Sequence, residues 1–190
     1  MNEFHSEIEN CIKYLNDGNV ILYPTDTVWG IGCDATNEKA VEKINKIKKR
    51  SDSKSYIVLL DESYKLNNYV KLVPETAWDL VDFAEKPLTI IYPDAQGLAY
   101  NVIADDQSVG IRIVKDSFCK LLIQKFKKPI VSTSANISSE QSPNSYNDIS
   151  ESILNEVDYI VNLPDLENKT TLPSAIIKLW VNGEINIIRK

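Results

Sequence analysis

Short apolar runs alternate along this chain with longer segments whose apolar residues recur every three or four positions, and that alternation narrows the fold more than any other feature. "VILY" (20–23), "SYIVLL" (55–60), "LTIIY" (88–92), "SVGIRIV" (108–114), "PIV" (129–131) and "YIVNL" (159–163) have the length and β-branched content of buried strands. Between them, Ile8, Cys11, Ile12 and Leu15 share one helical face. Ala40, Val41, Ile44 and Ile47 do the same over 37–49, with Thr36 the expected N-cap. Pro74 opens a helix carrying Ala77, Trp78, Leu80, Val81 and Ala84, residues 116–126 form a capped helix, and another runs through Ile149, Ile153 and Val157. Asn182-Gly183, between two apolar runs, predicts a hairpin with a type I′ turn. Together these elements predict an α/β fold with a mixed sheet, in one domain spanning 1–190, because a chain of 190 residues can bury one substantial core.

The inventory of side chains excludes several kinds of chemistry. His5 is the only histidine and lies on the first helix, where surface exposure is the plain reading, so Ser-His-Asp and Cys-His hydrolysis lack their base. Cys11, Cys33 and Cys119 are far apart and odd in number, which fits reduced core thiols and neither a disulfide framework nor a zinc site. The formal charge of −6 opposes broad, non-specific gripping of nucleic acid. An acidic N-terminal segment and no membrane-length apolar run predict a cytoplasmic protein that neither enters nor crosses a membrane. No GxxxxGK[ST] or GxGxxG pattern is present. What remains is chemistry that needs positive charge and positioning, and transfer at phosphorus has that character.

Three stretches then stand out. "VILYPTDTVWGIGCDAT" (20–36) runs from a strand, stopped by Pro24, into a loop dense in threonine, aspartate and glycine, in which Gly30 and Gly32 let the backbone turn close to a ligand. "KIKKRSDSK" (46–54) is the densest basic stretch; its lysines equally suit a solvated helix C-terminus. "STSANISSEQSP" (132–143) holds six hydroxyls and Asn136 in twelve residues, in a loop that could use them on its own backbone. Only three of the 21 basic residues are arginines, Arg50, Arg112 and Arg189, and in so lysine-rich a chain arginine is expected where a planar fork must hold a carboxylate or phosphate. Convergence of the three loops would make an anion-binding cleft.

These residues resemble the YrdC/Sua5 family of threonylcarbamoyl-AMP synthases in its short form. "YPTDTVWGIGCDAT" is similar to that family's PTDTVYGLGCDA signature, "KKR" to its KxR element, "VGIRI" to its GxRxP strand, "STSAN" to its SxN loop and "PSAII" to its PST element. All three arginines fall on family positions. The chain departs from the pattern at Trp29 (for tyrosine), Ser51, Ser55 and Val114 (for prolines), Ser139 (for glycine) and Ala175 (for threonine).

The resemblance implies a twisted open mixed sheet of the YrdC/RibB-like kind, with helices flanking a positively charged cleft. It implies synthesis of threonylcarbamoyl-adenylate from L-threonine, bicarbonate and ATP with Mg2+ on the nucleotide, releasing pyrophosphate, as the first step towards tRNA N6-threonylcarbamoyladenosine. The downstream acceptor would be the threonylcarbamoyl transferase complex, and weak tRNA binding is an accompanying expectation. Lys48, Arg50, Ser134 and Asn136 would be catalytic, on the triphosphate and at the α-phosphate. Lys54, Ser108, Ser142 and Arg189 would complete the ATP site, and Thr27, Arg112, Ser132 and Ser174 would hold threonine. No protein metal site is expected. The alternatives are a carbamoyl-adenylate-forming relative that uses carbamoyl phosphate and, in a different class, a non-catalytic RNA-binding module.

Overall fold

In a computed structural model of the chain, residues 3–50, 56–163 and 172–190 are described. Helix α1 (Glu3–Asn16) buries Ile8, Cys11 and Leu15 and is closed by Gly18 in the left-handed region at φ 70°. Strands β1 (Ile21–Tyr23) and β2 (Gly30–Asp34) follow, then α2 (Glu38–Ile47) and β3 (Ile57–Leu60). Helix α3 (Glu75–Phe83), β4 (Leu88–Tyr92), β5 (Val109–Ile113), α4 (Ser117–Phe126) and β6 (Ile130–Ser134) make up the middle of the chain. A short α5 (Glu151–Leu154), β7 (Tyr159–Ile160), β8 (Ala175–Leu179) and β9 (Ile185–Arg189) complete it.

The strands form one mixed sheet in the order β7-β1-β2-β6-β3-β5-β4-β8-β9. β1 with β7, β3 with β5 and β4 with β8 are parallel pairs; the other neighbours are antiparallel. Alternation along each strand splits the core in two. Ile21, Tyr23 and Leu59 pack with Ile8, Cys11 and Leu15 of α1 and with Phe118, Leu122 and Phe126 of α4. Leu22, Val58 and Leu60 point the other way, against Ala40, Val41 and Ile44 of α2, Ala77 of α3 and Ile153 of α5. The mixed α/β expectation holds, with helices on both faces.

Several local expectations change. Asn37, not Thr36, caps α2: its side chain accepts from the Lys39 and Ala40 N–H groups, whereas the Thr36 hydroxyl donates to Asp34 Oδ1 at 2.6 Å. Residues 30–34 form a strand where a loop was expected, because glycines at 30 and 32 hide the period-2 signal. Neither glycine has a positive φ; they provide clearance, and a Cβ on Gly32 would lie 2.6 Å from Tyr23 Cε1 and 2.7 Å from the Val131 carbonyl oxygen. β6 extends through Ser134, so the first three hydroxyls of "STSAN" stand on a strand rather than in a loop. The helix expected to reach Val157 ends at Leu154. In the terminal hairpin only Gly183 has a positive φ, and its N–H donates to the Trp180 carbonyl while Trp180 N–H donates to Glu184. That is a three-residue connection with a left-handed glycine, not a type I′ turn.

Candidate active site

The Schellman motif at the end of α2 aims the basic stretch. Arg50 N–H donates to the Asn45 carbonyl and Lys49 N–H to that of Lys46, which puts Lys49 at φ 48° and turns the chain sharply after Lys48. Lys48 is 3 % exposed, and its Nζ donates to the carbonyl oxygens of Ser134 (2.5 Å) and Asn136 (2.6 Å). The Lys48 carbonyl in turn accepts from Ser138 N–H. A lysine that looked as ready to be solvated as to bind is therefore a buried brace for the "STSAN" segment. Burial, with the nearby Arg50 charge, pulls its pKa down to about 8.

Arg50 lies over the Tyr56 ring, 4.2 Å from its centroid, and the Tyr56 hydroxyl donates to Asn45 Oδ1 at 2.5 Å. The ring is thereby fixed from behind, and burial pushes its phenol up to about 12. Asn136 uses both amide hydrogens on the carbonyls of Ile137 and Glu140, which leaves its Oδ1 buried and without a donor. Ser139, where the resembled family has glycine, sits at φ 73°.

At the other end stand Arg112, Ser174 and Arg189. Arg112 on β5 is 4 % exposed and pairs through Nη2 with Asp26 Oδ1 at 3.0 Å. Arg189 Nε donates to the Ser174 carbonyl, and the Ser174 hydroxyl shares a 2.8 Å hydrogen bond with Thr89, the residue across from Arg112 in the sheet. Burial, then the Arg112 charge, lowers the Arg189 pKa. Thr25 staples the 24–29 loop: its hydroxyl donates to the Val28 carbonyl, accepts from Thr27 N–H and lies 2.9 Å from the Thr27 hydroxyl. Gly30 makes room here, since a Cβ would meet Ser132 Oγ at 3.0 Å.

All of this surrounds one cavity of about 390 Å³. Of the expected site residues, Lys48, Arg50, Ser134, Asn136, Ser142 and Arg189 line it, as do Thr27, Arg112, Ser132 and Ser174. Among the described residues, its lining contains four basic side chains and no acidic one. Ser108 does not line it; its hydroxyl donates to Asp106 Oδ1 at 2.5 Å at the start of β5. Lys54, with Ser51 and Ser55, lies outside the described residues. Sequence reasoning missed Tyr56, Asp26 and Thr25, since a tyrosine beside a strand and an aspartate between threonines carry no spacing signal of their own. Val114 is explained by the sheet: its N–H donates to the Leu60 carbonyl, a bond that the proline at that family position could not make.

The volume falls within the range of roughly 300–1,000 Å³ typical of small-molecule sites, and the four cations suit a substrate with several negative charges. No group of three or more His, Cys, Asp or Glu among the described residues is placed to hold a metal. An Mg2+ ion arriving on a nucleotide would still find a hard oxygen donor in Asn136 Oδ1, with the Ser134 hydroxyl also on the lining. His5 is exposed on α1 and takes no part, and Cys11, Cys33 and Cys119 are buried free thiols. No helix among the described residues is long and apolar enough to cross a membrane.

Comparison with known proteins agrees with this geometry. The Sua5/YciO/YrdC family model, described as "telomere recombination", matches residues 13–190. A threonylcarbamoyl-AMP synthase of Pseudoalteromonas translucida is 33 % identical over 183 residues, covering 95 % of this chain and 96 % of that protein. The crystal structure of P. abyssi Sua5 complexed with L-threonine superposes with a TM-score of 0.83 at 27 % identity; it covers 90 % of this chain, which spans 50 % of that one. E. coli YciO shares the fold, with a TM-score of 0.81 at 21 % identity over 96 % of this chain and 88 % of its own.

Proposed function

The chain belongs to the Sua5/YciO/YrdC family, and from that premise we propose that it is a nucleotidyltransferase that makes L-threonylcarbamoyl-adenylate from L-threonine, bicarbonate and ATP, releasing pyrophosphate. The observation that carries the reading is the single cavity on which ten of the twelve expected residues converge, with arginines at both ends.

The threonine carboxylate pairs with Arg112, whose rigid strand position suits a bidentate clamp, and the Thr27, Ser132 and Ser174 hydroxyls surround the amino acid. The threonine amine, as its free base, adds to the carbon of CO2 with release of one proton to solvent, or to bicarbonate with loss of water, to give a carbamate. One carbamate oxygen then attacks the α-phosphorus, the bond from that phosphorus to the bridging oxygen breaks, and pyrophosphate leaves. No proton shuttle is needed at phosphorus, which agrees with a cavity lacking histidine. Arg50, held on Tyr56, neutralises charge on the phosphate oxygens, with Ser134 and Ser142 as further donors, and Arg189 adds its charge from the other end of the cleft. Mg2+ bound to the nucleotide would supply charge neutralisation there, with Asn136 Oδ1 its available protein ligand. Lys48 serves through its carbonyl bonds, by holding the segment that carries Ser134 and Asn136. The product would be passed to a transferase that acts on tRNA.

The test is pyrophosphate release from ATP and Mg2+, with L-threonine and bicarbonate added and omitted, and mass spectrometry for the adenylate. Release that needs both, with the mixed anhydride detected, supports the assignment. Release driven instead by carbamoyl phosphate would replace it with a carbamoyl-adenylate activity, and tRNA binding without turnover would leave a binding module.

A further inference from the structure

A buried arginine cannot shed its charge, so the fold must supply something that balances Arg112. The structure shows what does. Asp26 lies between Thr25 and Thr27, both of which line the cavity, but it does not line the cavity itself. Its two carboxylate oxygens are sealed from solvent, and Oδ1 lies 3.0 Å from Arg112 Nη2; the side chains of the pair are 8 % and 4 % exposed. Burial raises the Asp26 carboxyl above the ordinary carboxylate range, the Arg112 charge opposes that rise, and Asp116, the N-cap of α4, adds to it.

We propose that Asp26 is a positioning residue for the amino-acid end of the site: from behind Arg112 it holds the guanidinium in the one orientation that receives the substrate carboxylate. Three features support the role. Thr25 staples the backbone on either side of Asp26, so the carboxylate cannot swing away with the substrate. A guanidinium has five donors, and with one Nη engaged by Asp26 and the residue on the cavity lining, Arg112 keeps capacity for a second carboxylate. An arginine already immobilised loses little side-chain entropy on binding, whereas a loose one would lose much of its rotamer freedom. The substrate carboxylate thus adds to the pair and does not displace Asp26.

The inference rests on the threonine reading of the cleft, and the experiment separates the two. Steady-state kinetics of the full chain would compare wild type, Asp26→Asn, Arg112→Gln and the double variant. Asp26→Asn is expected to raise the KM for threonine about tenfold, with KM for ATP and kcat little changed. In the Arg112→Gln background the same substitution should change nothing further, because Asp26 acts only through Arg112; a merely structural aspartate would harm both backgrounds alike. Unchanged threonine KM in Asp26→Asn, with a threonine-dependent wild type, overturns the inference and leaves the function standing. A wild type indifferent to threonine overturns both.

Should Asp26→Asn not fold, the wild type suffices. With only three arginines in the chain, the Arg112 Nε–H resonance is assignable by 15N-arginine labelling and an Arg112→Lys control. A sharp, exchange-protected Nε–H before threonine is added supports a pre-set guanidinium. A rapidly exchanging one overturns it.

Discussion

The ammonium of Lys48 donates to the main-chain carbonyl of Asn136 at 2.6 Å, which joins the end of α2 to the segment after β6 across 88 residues of sequence. With the second bond to Ser134, it makes Lys48 the tether of the phosphate end of the cleft. Lys48→Met would orphan two carbonyls. It is expected to destabilise the fold by about 1–3 kcal/mol and to lower turnover about 100-fold, as read by denaturation and pyrophosphate release.

The same lysine has a pH signature. Its folded pKa, about 8, lies below the unfolded value of about 10.4. Between those values the unfolded chain binds more protons, so this group makes stability rise with pH from about 8 towards about 10.4. The neutral amine still has two N–H donors for its two carbonyls, so the brace survives deprotonation. Burial also raises the thiols of Cys11, Cys33 and Cys119, which makes stability fall with pH over the same range in both proteins, so the signature is the difference: the stability of wild type minus that of Lys48→Met should rise from pH 7 to 10 in chemical denaturation.

Arg50 acts from the face of Tyr56. Arg50→Ala should abolish most turnover yet leave the fold intact, because it removes a site charge and no core atom. Tyr56→Leu keeps the charge but removes the platform; at about 1–2 kcal/mol for such a contact, KM for ATP should rise about tenfold with kcat less affected. Equal KM values in wild type and Tyr56→Leu would show that the ring does not position Arg50.

Lys49 occupies the left-handed C′ position of a Schellman motif, where glycine is favoured, and its side chain is exposed. Lys49→Gly should stabilise the protein by about 1 kcal/mol, visible as a higher melting temperature, with turnover retained.

Gly32 is the opposite case. A Cβ there would lie 2.7 Å from a backbone oxygen of β6 and 2.6 Å from the Tyr23 ring, neither free to move far inside the sheet. Gly32→Ala should therefore cost about 1–3 kcal/mol and spread β2 from β6, lowering both the denaturation midpoint and activity.

Much of the molecule was legible beforehand because its signals are local. Apolar periodicity marked α1 and α2, and the cap expected at the start of α4 is Asp116. The scarcity of arginine singled out three residues, all of which line the cavity. Where local signals fail, so did the expectation. Glycines concealed β2, Ser108 turned to its own neighbour Asp106, and nothing in "PTDT" distinguishes the threonines that line the cavity from the aspartate that does not.

The sequence by itself determined which segments become strands and helices, and which residue types are available for chemistry, because both follow from spacing and composition along the chain. Only the tertiary structure decided what each charge meets. Lys48 faces the carbonyls of Ser134 and Asn136, and Arg112 an aspartate 86 residues earlier, since those partners come from strands and loops that are neighbours only once the sheet order is set; Arg50 meets a ring six residues on. Burial then fixes the cost of leaving any of these charges unpaired, and burial is a property of the packed fold, not of the chain.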